Sequence, residues 1–210
     1  MNKITLEKVT AFILRRRPRG TDLLLFEHPS AGIQVPAGTV EEGEDPQTAA
    51  LREGGEESGL SDLKLEAYLG SANERPVIGD HFIARATIVY SRPDQTSFDW
   101  ARYRRGLTVR VLRREDGFAH VSFEEPDRWP DPQYATYQIT GWVPEEVLAE
   151  TALRHFYLFA HNGYTPDRWT VPIDNHLFKP FWAPLNHLPE IVAPQATWLE
   201  FLLKHLGGAH

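Results

Sequence analysis

GTVEEGEDPQTAALREGGEESGL, residues 38 to 60, places Glu53, Glu56 and Glu57 three and four residues apart, directly after Arg52. On a helix this spacing gathers three carboxylates on neighbouring positions of one face. Like charges at such spacing destabilise a helix by about 0.2–0.5 kcal/mol per pair. Gly54 and Gly55 add about 0.8–1 kcal/mol each relative to alanine. Stability alone does not account for both handicaps in one turn. Clustered carboxylate oxygens suit hard divalent cations such as Mg²⁺, which bind through carboxylates, waters and substrate phosphates.

Gly38, Glu44, Arg52-Glu53, Glu56-Glu57, Gly59 and the apolar Leu60 together resemble the Nudix box, G-x5-E-x7-R-E-U-x-E-E-x-G-U, where U is a bulky apolar residue. Seven fixed positions, each filled at average usage, match by chance on the order of 10⁻⁸ per starting point. One position departs: Gly54 occupies the first apolar slot, where family members pack a side chain into the core. The resemblance implies an α/β fold, a Nudix-type α/β/α sandwich with a mixed β-sheet. It implies hydrolysis of a nucleoside diphosphate linked to another moiety, by water attacking phosphorus.

The residues argue for the same chemistry, less narrowly. Phosphoryl transfer needs neutralised phosphate oxygens and an oriented water, and metal ions held on carboxylates supply both. Glu53, Glu56 and Glu57 are the expected ligands of Mg²⁺ or Mn²⁺. Arg52 lies beside the acids and can hold a carboxylate in two-point contact, so Glu53 and Arg52 are the expected catalytic pair. Gly38 suits a backbone passing close to the helix or to the pyrophosphate of a substrate. Glu44 is either a further ligand or the partner of Arg52, and the bridge is favoured. The alternative function is a catalytically silent nucleotide-binding regulator on the same fold, against which the retained acids speak.

Composition narrows the partners. The chain has 210 residues, 22 basic and 29 acidic, for a net charge of −7. That balance argues against a protein that neutralises a nucleic-acid backbone. Two basic runs, Arg15–Arg19 and Arg102–Arg105, are expected to be solvated strand ends or loops. Cysteine is absent, which removes any disulfide framework. The N-terminus lacks a signal-peptide core and no window is apolar enough to span a membrane. The expectation is a soluble cytoplasmic protein whose partner is a small-molecule nucleotide derivative, with no nucleic-acid polymer and no membrane. A homodimer is allowed.

Along the chain, Val9–Leu14 and Leu23–Phe26 read as a strand pair around Pro18–Asp22, and Ile33–Pro36 as a third strand. Asp45-Pro46 signals a helix start, with Gly59 the stop after about Ser58. Leu63–Leu69 and Phe82–Tyr90 read as further strands. Thr108–Leu112 and Phe118–Phe123 form a hairpin through Asp116-Gly117. Pro126–Pro132 is a proline-dense loop, and Trp142–Leu148 reads as a short helix. The whole, residues 1–210, is expected to be a single domain with an inserted hairpin and loop region at about 93–150 that lacks a core of its own.

Leu153–Phe159 and Leu177–Ala183 are expected strands, the second broken by Pro180 and so placed at an edge or bulge. Arg154-His155-Phe156, Asp167-Arg168-Trp169, Phe181–Leu185 and a closing helix over Ala196–Leu206 also resemble the tail of certain Nudix proteins. Family members often add an acid from a distant loop, and Asp174, Glu74 and Asp80 are the candidates for it. His28, His155, His161 and His176 show no metal-binding spacing and read as packed or surface residues. Of Trp169, Trp182, Trp198, Tyr157 and Tyr164, most read as core, with a base-stacking ring as the alternative.

Overall fold

The structure, a computed structural model, describes residues 4–129, 131–173 and 176–208. Strand β1 (Leu6–Arg17) turns at Pro18-Arg19 into β2 (Gly20–His28), with Leu14 opposite Leu23, as the paired apolar runs predict. The single strand expected over Ile33–Pro36 is two: β3 (Gly32–Gln34) on β2, and β4 (Ala37–Thr39) on β1. Pro36 explains the break. It has no N–H for a ladder, and the chain changes partner there, with Pro36 accepting from the Ala11 N–H at 2.9 Å.

Helix α1 (Pro46–Ser58) follows, then β5 (Leu63–Glu74), β6 (Asp80–Ile83), β7 (Thr87–Tyr90), β8 (Asp99–Tyr103) and β9 (Thr108–Glu115). The chain continues through β10 (Phe118–Pro126), β11 (Ala135–Pro144), β12 (Leu148–Ala149), β13 (Ala152–His161), β14 (Val171–Ile173), β15 (His176–Pro184) and α2 (Gln195–Gly207). These elements group into two compact units.

The first unit comprises Lys8–Val40, Glu44–Ser71 and the described residues from His155 on. Its sheet runs β14-β15-β2-β1-β13-β5, with β3 and β4 hanging on β2 and β1. Side chains alternate across a strand, and that alternation places the helices. Val9, Ala11 and Ile13 of β1 and Tyr157 and Phe159 of β13 pack with Ala49 and Ala50 of α1. The intervening Phe12 and Phe156 stack with centroids 6.3 Å apart, and Phe156 meets Trp198 and Phe201 of α2. One helix covers each face, which is the α/β/α arrangement expected.

Strand β15 is not an edge: it lies between β14 and β2. Its ladder with β14 covers only His176, Leu177 and Phe178. Pro180 falls beyond that ladder, where its carbonyl accepts from the Trp169 N–H at 3.1 Å.

The second unit comprises Glu41–Gly43, Ala72–Arg154 and the described residues up to Glu7. Its seven strands run β12-β6-β9-β10-β11-β7-β8. The β9–β10 hairpin turns on Asp116 and Gly117, both at positive φ (49° and 79°), as the Asp-Gly signal predicts. Contrary to the sequence reading, this region has its own core, formed by Ile83, Val89, Tyr103, Val121, Val143 and neighbours. Bulges at Val89/Tyr90 and His120/Val121 shift the alternation and hide it in the sequence. The helix expected over Trp142–Leu148 is mostly strand. Trp142 and Val143 are buried in β11 against β10, and only Glu145–Val147 makes a 3-10 turn.

Among the described residues no helix is long and apolar enough to cross a membrane.

Candidate active site

The acidic helix begins and ends where local chemistry says it should. Asp45 accepts hydrogen bonds from the Gln47 and Thr48 N–H groups (3.0 and 3.1 Å), and Pro46 opens the first turn. Gly59 closes it at φ 72°, donating to the Gly55 carbonyl at 2.7 Å. The last turn is fastened by Trp169, whose Nε1 donates to the Ser58 carbonyl at 2.7 Å.

Gly54, the odd residue of the box, is buried. A Cβ there would stand 3.1–3.4 Å from Leu63 Cδ1, Ala11 Cβ and Ile13 Cδ1, so neighbouring side chains already fill the missing apolar slot. Gly38 makes room in a different way. A Cβ at that position would overlap the Glu53 carboxylate, which packs directly over the β4 backbone.

Arg52 organises the acids. Its Nε and Nη2 donate to the two oxygens of Glu44, both at 3.0 Å, in a fork-to-fork pair. Of the two roles open to Glu44, the bridge is therefore the one formed. Nη1 donates to Glu53 Oε1 (2.9 Å) and Glu56 Oε2 (3.2 Å), and Nη2 also reaches the Thr39 carbonyl (3.2 Å). These partners, the Glu44 hydrogen bond foremost, raise the guanidinium pKa further.

Glu57 turns away from Arg52 and accepts from the Ala37 N–H at 2.9 Å. Its carboxyl is pushed up to about 8, mainly by burial, with Glu53 and Glu56 adding to the shift and Ala37 opposing it. Glu53 is raised as well: burial outweighs the pull of Arg52. Glu56 keeps an exposed side chain. The helix thus holds more negative charge than one arginine neutralises. Among the described residues, no three carboxylate or imidazole groups are gathered closely enough to hold a metal ion as they stand.

Of the candidate distant acids, Asp174 lies outside the described residues. Glu74 forms a two-point pair with the buried Arg154, and Asp80 pairs with Arg110. Both are engaged in ion pairs of the seven-stranded unit. The basic run at Arg15 is not a solvated strand end throughout. Arg15 is 8% exposed, bound to Asp22 and Asp167 and stacked 4.5 Å over Trp182. Sequence reading missed Thr39 and Ala37, which act through backbone atoms and leave no side-chain signal.

The family model described as NUDIX domain matches residues 6–135. The chain belongs to the NUDIX domain family. Its α/β Nudix-type fold and its place among the Nudix hydrolases go with that membership. Comparison with curated protein sequences gives no match. Among solved structures, the NUDIX domain of Shewanella oneidensis NrtR complexed with ADP ribose is similar, at 12% identity and TM-score 0.49, covering 97% of this chain and 90% of that one. A C. elegans Ap4A hydrolase binary complex is 15% identical at TM-score 0.44, covering 97% and 99%. The same hydrolase in a further structure is 16% identical at TM-score 0.44, covering 99% and 100%. At these scores they add nothing to what the family match carries.

Proposed function

We propose that this Nudix protein is a pyrophosphohydrolase dependent on Mg²⁺ or Mn²⁺, cleaving a nucleoside diphosphate linked to another moiety by attack of water on phosphorus. The observation that carries the reading is the pair of burial-raised carboxyls, Glu53 and Glu57, on a helix with one arginine among its acids. Such groups are under-compensated, and a divalent cation is the partner that would relieve them. The donor set is all oxygen, which fits a hard ion.

Glu53, Glu56 and Glu57 would hold the cation. When bound, it supplies charge neutralisation at the phosphate oxygens and lowers the pKa of a coordinated water. The remaining work falls to the chain. Arg52, anchored on Glu44, keeps the Glu53 carboxylate in one orientation. Gly38 leaves that carboxylate its space against β4. Glu57, whose carboxyl is raised to about 8, would have to be deprotonated to hold a cation, so cation affinity is expected to rise with pH up to about 8. A small-molecule nucleotide as partner, in a cytoplasmic setting, accords with the net charge of −7 and the lack of cysteine.

A second reading, the silent nucleotide-binding regulator, draws on the hydrogen bonds by which Arg52 and Ala37 already engage Glu56 and Glu57. One assay separates the two: nucleoside monophosphate release from a panel of sugar nucleotides, dinucleoside polyphosphates, coenzyme A and oxidised nucleotides, with and without Mg²⁺. The hydrolase turns over at least one compound in Mg²⁺ and loses about 10²–10³-fold or more in kcat on Glu53→Gln, with a smaller change in KM. Tight nucleotide binding with wild type and variant equally inert favours the regulator.

A further inference from the structure

The tail motif Asp167-Arg168-Trp169 lies on the connection between β13 and β14 of the α/β unit. We propose that it is a clamp on the last turn of α1, with Trp169 the positioning residue for Glu56 and Glu57.

Backbone bonds on either side of Arg168 lay the motif against β15. The Asp167 carbonyl accepts from the Trp182 N–H at 3.0 Å, and the Trp169 N–H donates to the Pro180 carbonyl at 3.1 Å, around an antiparallel bridge of Arg168 to Phe181. Alternation then sorts the side chains. Arg168 goes to the face of Phe181, its guanidinium 4.6 Å from that ring centroid and 3.1 Å from Glu27. Asp167 and Trp169 go to the face of Trp182, which shares a core with Ala49 and Ala50 of α1. There Asp167 is held by Arg15 at 2.9 Å and by Arg17, while the Trp169 indole packs against that core.

From that position the indole Nε1–H reaches the Ser58 carbonyl at 2.7 Å. This carbonyl is one of the last four of the helix, which have no partner further along it. The end it fastens has little of its own to keep it wound, and helix ends fray. Gly54 and Gly55 lower its propensity, Glu53, Glu56 and Glu57 repel one another, and no basic residue falls in the last turn. A lysine or arginine would suit a helix C-terminus, but its charge would compete with a cation for the acids. Indole is a neutral donor with no acceptor, so it closes the turn without taking up a carboxylate. Ser58 adjoins Glu57, whose carboxyl accepts from the Ala37 N–H at 2.9 Å. The turn bearing both acids is therefore pinned at two points, by Trp169 and by Ala37.

A turn that frays presents both acids together only part of the time, and the apparent affinity for a cation falls by that fraction. On the hydrolase reading, on which the cation half of the proposal rests, the clamp raises the affinity of α1 for Mg²⁺ or Mn²⁺ by acting through the helix end.

The test needs no turnover. Amide hydrogen exchange is measured in chelator, and Mn²⁺ is then titrated with the free-ion electron paramagnetic resonance signal as readout. Trp169→Phe keeps an aromatic ring in the core and removes the N–H. It should speed exchange by about fivefold or more at Gly59, which donates to Gly55, and at Ala37, and leave Ala49, which donates to Asp45 at the helix start, unchanged. Mn²⁺ affinity should fall about threefold or more. Asp167→Ala, at an exposed position that leaves Trp169 in place, should move the same three readouts in the same direction by smaller factors. Equal acceleration at Gly59, Ala37 and Ala49 would mean a general loss of stability and overturn the proposal, as would amides indifferent to both variants. Faster exchange with Mn²⁺ affinity equal in wild type and Trp169→Phe would remove the positioning role. Failure of the hydrolase reading shows differently: wild type then binds no Mn²⁺, while Gly59 and Ala37 still respond and the clamp on the helix end stands.

Discussion

At the scale of single residues, the acidic cluster is a set of opposed electrostatic demands. Glu57 has an ordinary value of 4.5 and a folded value of about 8. Between those pH values the folded protein binds a proton that the unfolded chain has lost. The stability carried by protonated Glu57 is therefore complete below pH 4.5 and lost as pH rises to about 8, by about 1.4 kcal/mol per unit at most. Urea unfolding in chelator at pH 5.5 and 7.5 should show wild type weakening more than Glu57→Gln, and Mg²⁺ should restore wild type at the higher pH. Identical pH slopes for the two proteins would remove the buried proton from the account. Gly38→Ala makes a second test, because its methyl group collides with the Glu53 carboxylate. Overpacking of this kind costs about 1–3 kcal/mol, and calorimetry should register it together with loss of any Mg²⁺-dependent activity.

Helix α1 shows which elements a sequence discloses. Its start at Asp45-Pro46 and its stop at Gly59 were legible because capping is local, and the Arg52–Glu44 bridge because both residues lie within one motif. The Gly54 anomaly was visible but not its remedy, since Leu63, Ala11 and Ile13 reach it from other strands. Restoring bulk with Gly54→Val should destabilise by about 1–3 kcal/mol, and adding Leu63→Ala should recover part of that loss. A Gly54→Val protein as stable as wild type would mean the slot is open. Gly59→Ala places a Cβ in left-handed backbone and 3.1 Å from Val171 Cγ2, so a loss of at least about 1 kcal/mol is expected in thermal unfolding.

For the whole molecule, the box made the α/β fold readable and the seven-stranded unit did not. Four of its strands have five residues or fewer, two are bulged, and Trp142-Val143-Pro144 imitates a helix start while continuing β11. The chain passes repeatedly between the two units, and residues Glu41–Gly43 of the box group with the seven-stranded one. We propose on that ground that the chain unfolds as a single domain. Tryptophan fluorescence and far-ultraviolet circular dichroism should then give coincident urea transitions, and two separated transitions would establish independent domains. The central claim, attack of water on phosphorus at the acidic helix, is tested most directly by hydrolysis in ¹⁸O-labelled water with mass analysis of the products. The account predicts Mg²⁺-dependent appearance of one ¹⁸O in a phosphate-bearing product, abolished by Glu53→Gln. Label in a non-phosphate product, or no labelled product across the substrate panel while nucleotide still binds, would contradict it.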